Sequence, residues 1–176
     1  MEAVRETNVR ILGLDLASRT GFCHGEPDEC PTIGHFRLKV TGPDVGEFLE
    51  DAEDRLTDLI MAVAPGVVCF ESPILPQQTA LATTRKLHGL AGMLELVCRR
   101  AAVECVEVQP AIVKKTLTGR GNAKKPDMME AARAMGFDPK VDDEADALGV
   151  WLAVVRMRHP QCAGRLDPIN FKRRAS

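Results

Sequence analysis

Val9-Arg10-Ile11-Leu12-Gly13-Leu14-Asp15 is an almost wholly apolar run that closes on an acid, and Val67-Val68-Cys69-Phe70-Glu71 repeats the pattern. Runs of this length and composition read as strands covered on both faces. An acid at the end of such a strand lies where open α/β sheets place ligand-binding groups. Around these two strands the rest of the chain falls into order. Residues 21–25 and 33–40 predict two further strands separated by turn-rich Glu26-Pro27-Asp28 and Pro31, an antiparallel meander with the first. From residue 44 to 63, Val45, Phe48, Leu49, Ala52, Leu56, Leu59, Ile60 and Val63 recur at intervals of three and four, so this segment predicts an amphipathic helix stopped by Pro65-Gly66.

Leu87, Leu90, Leu94, Val97 and Ala101 form the stripe of a second long helix, followed by a short strand over residues 103–108. Pro110 and Pro126 each open a shorter helix, the second leaving through Gly136, with a flexible turn over residues 118–122 between them. The last strong pattern covers residues 143–158, with Ala145, Leu148, Leu152 and Val155 facing inward and Trp151 filling core beside Leu148 and Leu152. We expect one α/β domain over residues 1–160 and a weakly structured basic tail over 161–176.

Composition narrows the class. Of 176 residues, 45% are apolar and 27% charged, which fits a folded domain and excludes disordered and collagen-like chains. The longest apolar stretches, residues 59–64 and 147–155, are far below the roughly 18 to 20 residues of a bilayer span. The first six residues do not form a signal peptide. Six cysteines without a Cys-x-x-Cys pair, several in apolar runs, suit free thiols, so a cytoplasmic protein is expected. Cys23, His24, Cys30 and His35 match no standard zinc spacing.

The chemistry lies in carboxylates. Asp15 and Glu71 end buried strands, and Asp143 and Asp146, at i and i+3 on one helical face, can join them if that helix packs beside the sheet. Each acid alone has a structural alternative: strand-end acids cap helices, and Asp142, Asp143 and Glu144 suit any helix N-terminus. Asp146 resists that alternative, because it lies inside Ala145-Asp146-Ala147-Leu148, where an unpaired charge is costly. Four clustered carboxylates repel unless cations neutralise them, and an all-oxygen donor set favours Mg²⁺ or Mn²⁺. Two such ions about 4 Å apart can drive phosphodiester hydrolysis.

Residues 111–125 hold Lys114, Lys115, Arg120, Lys124 and Lys125 with no acid, threaded through a Gly-containing turn, which predicts a phosphate track. Arg85 and Lys86, and the tail cations Lys172, Arg173 and Arg174, are weaker candidates for phosphate contact, and for the tail a solvated end is the favoured reading. The formal net charge of −2, from 23 basic and 25 acidic residues, would argue against a polyanionic partner if it were evenly spread. It is segregated instead. Residues 44–58 hold seven acids and one base, residues 111–125 five bases and no acid, and residues 156–176 six bases and one acid. The acidic helix should therefore face away from a polyanionic partner.

Gly13-Leu14-Asp15-Leu16-Ala17-Ser18-Arg19-Thr20-Gly21, then Phe70-Glu71, the basic segment from Lys114 to Lys125, and Asp143-Glu144-Ala145-Asp146-Ala147-Leu148 together resemble, in order and spacing, the RuvC family of Holliday-junction resolvases. The resemblance covers residues 9–158. It implies an RNase H-like fold, a five-stranded mixed sheet whose first three strands are antiparallel, flanked by helices. It implies that Asp15, Glu71, Asp143 and Asp146 are catalytic and bind two Mg²⁺ ions, with Mn²⁺ able to substitute, and that a homodimer nicks four-way junctions. Lys114 then lies near the scissile phosphate, where it would stabilise transition-state charge, and Lys125 lies on the DNA path. Two departures stand out: Leu16-Ala17 replaces the family's Pro-Gly, and Ser72-Pro73-Ile74-Leu75 lacks the family's junction-stacking aromatic. They mark a divergent, phage-like member for which flaps or forks are further substrates.

Two other classes remain at this point. The Asp15 to Gly21 spacing also resembles the first phosphate loop of actin-like ATPases and sugar kinases, which need a second such loop and a longer chain. A catalytically silent module that binds branched DNA through the basic segment alone is the other. Gly89, Ala91 and Gly92 fit close helix packing either across a dimer or within the fold.

Overall fold

Alternation along the first strand divides the molecule into two faces. In the computed structural model, which describes residues 9–74 and 80–165, β1 spans Ile11–Asp15. Ile11 enters one apolar cluster, whereas Leu12 and Leu14 enter a second one across the sheet. β2 (Arg19–Gly25) pairs antiparallel with β1, and β3 (Thr32–Arg37) antiparallel with β2. On the other side, β4 (Val67–Glu71) runs parallel to β1 and β5 (Glu104–Val108) parallel to β4, so the order is β3-β2-β1-β4-β5. This is the mixed sheet expected.

β3 is shorter than its hydrophobic pattern suggests. It ends at Arg37, the Leu38 amide turns to donate to the Ser18 carbonyl at 2.8 Å, and Val40 is 95% exposed. Next, α1 (Val45–Val63) begins where the Asp44 carboxylate accepts from the Glu47 amide at 3.0 Å. It packs with α2 (Leu81–Arg100) over Leu12, Leu14, Val68 and Phe70, burying Leu56, Ile60, Leu94 and Val97. Gly89 lets Leu49 of α1 approach closely, whereas the position of Gly92 opens on empty space.

The opposite face is covered by α5 (Asp142–Arg158), with α3 (Pro110–Thr118) and α4 (Lys125–Ala134) packed against α5 in turn. This layering corrects the expectation of a single inward stripe on α5. A helix held between a sheet and two other helices is apolar all round, and every residue from Asp143 to Val155 is buried except Asp146. Trp151 is fully buried, as expected. Close approach depends on Gly13, where a Cβ would lie 2.8 Å from the Trp151 amide nitrogen. The chain continues past α5 into a short 3₁₀ turn, Pro160–Arg165, whose Cys162 is buried in the same core. Leu75 and the tail cations Lys172, Arg173 and Arg174 lie outside the described residues. Among the described residues, no helix is long and apolar enough to cross a membrane.

Candidate active site

Side-chain alternation carries Asp15 and Glu71 to one place. Ile11 and Gly13 face α5, so Asp15, two residues on, does so too; Val67 and Cys69 likewise set the direction of Glu71. The parallel register pairs Leu14 with Phe70, which leaves Asp15 and Glu71 side by side at the strand ends. The first turns of α5 bring Asp143 and Asp146 to the same spot. That turn sits against β2 at Gly21, where a Cβ would stand 1.9 Å from the Asp143 carbonyl oxygen.

All four predicted acids line a single cleft of about 500 Å³, together with Ala17, Lys114, Asn122, Lys124 and Lys125. Lys114 reaches it from α3, while Lys124 and Lys125 reach it from the start of α4. A second hollow of about 320 Å³ shares Asp15, Glu71 and Lys114, and its other walls include Leu16, Pro73, Ile74 and Leu87. Leu16, the first departure from the family pattern, also packs, as Phe36 does, against the α1–α2 side of the core.

The acids feel each other. Burial, then repulsion from Asp146, Glu71 and Asp143, holds the Asp15 carboxyl well above the usual carboxylate range. Burial pushes Glu71 to about 7, with Asp146 adding to the rise and Lys114 and Lys125 opposing it. Asp146 rises to about 6, chiefly through burial. Such a cluster attracts a hard cation, and its all-oxygen donor set matches Mg²⁺ or Mn²⁺. As the side chains stand, however, no three His, Cys, Asp or Glu groups among the described residues are gathered tightly enough to hold an ion. Of these acids, Asp143 is held by a contact that the sequence reading missed.

That contact is made by Arg19. Its Nε donates to Asp143 Oδ2, and its Nη2 donates to Asp142 Oδ1 at 2.5 Å. Asp142 in turn accepts from Lys125 Nζ through its other oxygen. Strand alternation was a usable signal for Arg19, which precedes Gly21 by two and so shares its α5-facing side. Glu144 points elsewhere, accepting from the Lys140 amide at 2.6 Å and meeting His35 Nδ1 at 2.7 Å.

The basic candidates divide. Lys114 is half-buried at the cleft, and Lys115 and Lys124 are exposed with no ion pair among the described residues. Arg120 pairs with Asp127 at 3.1 Å and Lys125 with Asp142. Arg85 is exposed on α2. Lys86 is occupied within the fold: its Nζ donates to Thr41 Oγ1 and the Gly42 carbonyl, both at 2.8 Å, and lies 4.7 Å from the centre of the Phe48 ring. The acidic helix α1 packs on the Leu12 and Leu14 face of the sheet and does not line the cleft.

No protein-family model matches the sequence. Among curated proteins, the crossover junction endodeoxyribonuclease RuvC of Rhodopseudomonas palustris is 30% identical over 169 residues, covering 92% of this chain and 94% of its own length. The protein of the same name from Sorangium cellulosum is 29% identical over 163 residues, covering 89% and 87%. Among solved structures, Thermus thermophilus RuvC in complex with Holliday junction substrate aligns with a TM-score of 0.69 at 20% identity, covering 85% of this chain and 96% of that one. The yeast mitochondrial Holliday junction resolvase Ydc2 aligns at 0.56 and 15%, covering 89% and 84%. These two likenesses concern the fold. With the fold, the four acids in one cleft and a relative matched along nearly its whole length, the chain belongs to the RuvC family.

Proposed function

We propose that this protein is a structure-specific endonuclease that nicks Holliday junctions or other branched DNA by metal-dependent phosphodiester hydrolysis. The observation that carries this reading is the convergence of Asp15, Glu71, Asp143, Asp146 and Lys114 on one cleft at the carboxyl ends of β1 and β4. Relatives named for crossover junction cleavage, and a fold neighbour bound to a Holliday junction, support the substrate class.

Asp15 would hold divalent ions jointly with Glu71, Asp146 and Asp143, which line the same cleft. Mg²⁺, or Mn²⁺ in its place, supplies when bound the Lewis acidity that activates water and neutralises the departing oxygen. The protein's own part is positional. Lys114, half-buried at the rim, would stabilise negative charge on the phosphorus oxygens as the attacking hydroxyl adds and the bond to the sugar oxygen breaks. Lys115, Arg120, Lys124 and Lys125 would hold the phosphate backbone, with Arg85 as an outlying contact. Cutting two opposed strands of a junction suits a twofold homodimer.

Cleavage of an end-labelled four-way junction in Mg²⁺ or Mn²⁺ tests the proposal, with flap, fork and plain duplex as comparison substrates. The expected result is nicking of branched DNA by the wild type and none by Asp15→Asn. Equal behaviour of the two proteins, or cutting of duplex as fast as junction, overturns it. ATP hydrolysis without DNA cleavage would favour the kinase-like alternative.

A further inference from the structure

Of the four cleft acids, Asp143 alone has a side-chain donor among the described residues, and that donor is Arg19. The arrangement is a fork. One guanidinium edge nitrogen meets Asp143 Oδ2, while a terminal nitrogen meets Asp142 Oδ1, so two adjacent carboxylates on the first turn of α5 are tied to the start of β2. Asp143 lines the cleft, and its side chain is only 8% exposed. Asp142 does not line it. Oδ2 of Asp143 accepts from Arg19, which fixes how the carboxylate is turned toward the cleft.

We propose that Arg19 is a positioning residue that fixes the orientation of the Asp143 carboxylate as an ion ligand in the cleft, with Asp142 as the anchor that fixes Arg19. A planar fork can satisfy two carboxylates at once; an ammonium at the end of a flexible stem cannot hold both in one geometry. Groups that orient a metal ligand, without touching the metal, commonly change affinity 10-fold to 100-fold when removed. A purely structural ion pair would change only the stability of the α5 end, and lysine would rescue its charge.

This role rests on the assignment of Asp143 to the ion-binding acids, so the experiment separates the two. Mn²⁺ binding to DNA-free protein is measured by calorimetric titration for the wild type, Asp143→Asn, Arg19→Lys, Asp142→Ala and the Arg19→Lys/Asp142→Ala double variant, with thermal melting in chelator recorded for each. The expected result is a loss of about tenfold in Mn²⁺ affinity for Arg19→Lys. Asp142→Ala should lose in the same direction, and the double variant should be no worse than Arg19→Lys alone, since both disturb one unit. If Asp143→Asn leaves affinity unchanged, the assignment of Asp143 fails. If Asp143→Asn weakens binding while Arg19→Lys binds as the wild type does, or more tightly, the positioning role of Arg19 is overturned. Asp142→Ala retains the Arg19 side chain and its charge while removing its anchor, so it also serves if Arg19→Lys melts too low to titrate; unchanged affinity in Asp142→Ala then overturns the proposal.

Discussion

A Cβ on Gly21 would stand 1.9 Å from the carbonyl oxygen of Asp143. Gly21 also lies opposite Asp15 across the β1–β2 pair. The missing side chain is therefore what admits the first turn of α5 to the end of β1. A backbone carbonyl cannot swing aside as a flexible side chain can, so Gly21→Ala must push the whole turn outward. The expected cost is about 1 to 3 kcal/mol of stability, with junction cleavage lost far more than junction binding. Urea unfolding and gel-shift titration, read beside a cleavage assay, check both parts; a variant that cuts normally removes the close-approach account.

The raised carboxyls fix the sign of a pH effect. Glu71 at about 7 and Asp146 at about 6 keep protons in the fold that the unfolded chain has already released. Where the native state binds more protons, stability falls as pH rises. Their contribution is thus complete below the ordinary carboxylate range and is lost progressively up to about pH 7. Because the two groups repel one another, their titrations are coupled, and the combined fall is on the order of 2 to 3 kcal/mol in metal-free protein. Glu71→Gln should flatten the profile between pH 5 and 7, and excess Mg²⁺ should stabilise most at the upper end, where the acids are ionised. Urea midpoints across pH, with chelator and with Mg²⁺, give the comparison; a wild-type slope equal to that of Glu71→Gln contradicts it.

Much of this was legible because period and punctuation are local properties. Apolar runs ending on Asp15 and Glu71 marked the two site strands, and Pro110 and Pro126 marked the starts of α3 and α4 to within a residue. That the four acids share one cleft was legible because each sits at a strand end or on one helix face. Partner choice was not legible. Nothing in the pattern of residues 81–100 distinguishes a lysine free for phosphate from Lys86, which is tied to the loop before α1. Arg19 stands within the first motif, but its partners lie more than 120 residues away and only the fold sets them together. The all-round burial of α5 was hidden for the same reason: periodicity reports one neighbour, and α5 has two layers of them.

Trp151 fills the centre of the α5 core, and its Nε1 has no hydrogen-bond partner among the described residues. Replacing it by phenylalanine removes an unsatisfied donor while giving up part of the ring volume. The two effects oppose, since a buried unpaired donor costs about 1 to 3 kcal/mol. Trp151→Phe should therefore lose less than about 1.5 kcal/mol, against the roughly 3 to 5 kcal/mol of Trp151→Ala. Thermal or urea unfolding decides it, and comparable losses for the two variants would mean that the indole nitrogen is satisfied in solution.

Lys86 and Lys124 were both candidates for DNA contact, and the structure gives them different work. Lys124 is exposed at the cleft mouth, whereas Lys86 ties α2 to the Thr41–Gly42 loop and lies against Phe48. Each phosphate contact contributes about 0.9 to the slope of log affinity against log salt. Lys124→Ala should accordingly weaken junction binding and reduce that slope by about 1. Lys86→Ala should leave the slope unchanged and instead lower stability by about 1 to 2 kcal/mol, the scale of a cation–π contact and its accompanying hydrogen bonds. Gel-shift titrations at several salt concentrations, paired with urea unfolding, separate the two effects. A slope reduced equally in both variants would mean that Lys86 leaves its loop for the DNA, and that the phosphate track extends from α4 across to α2.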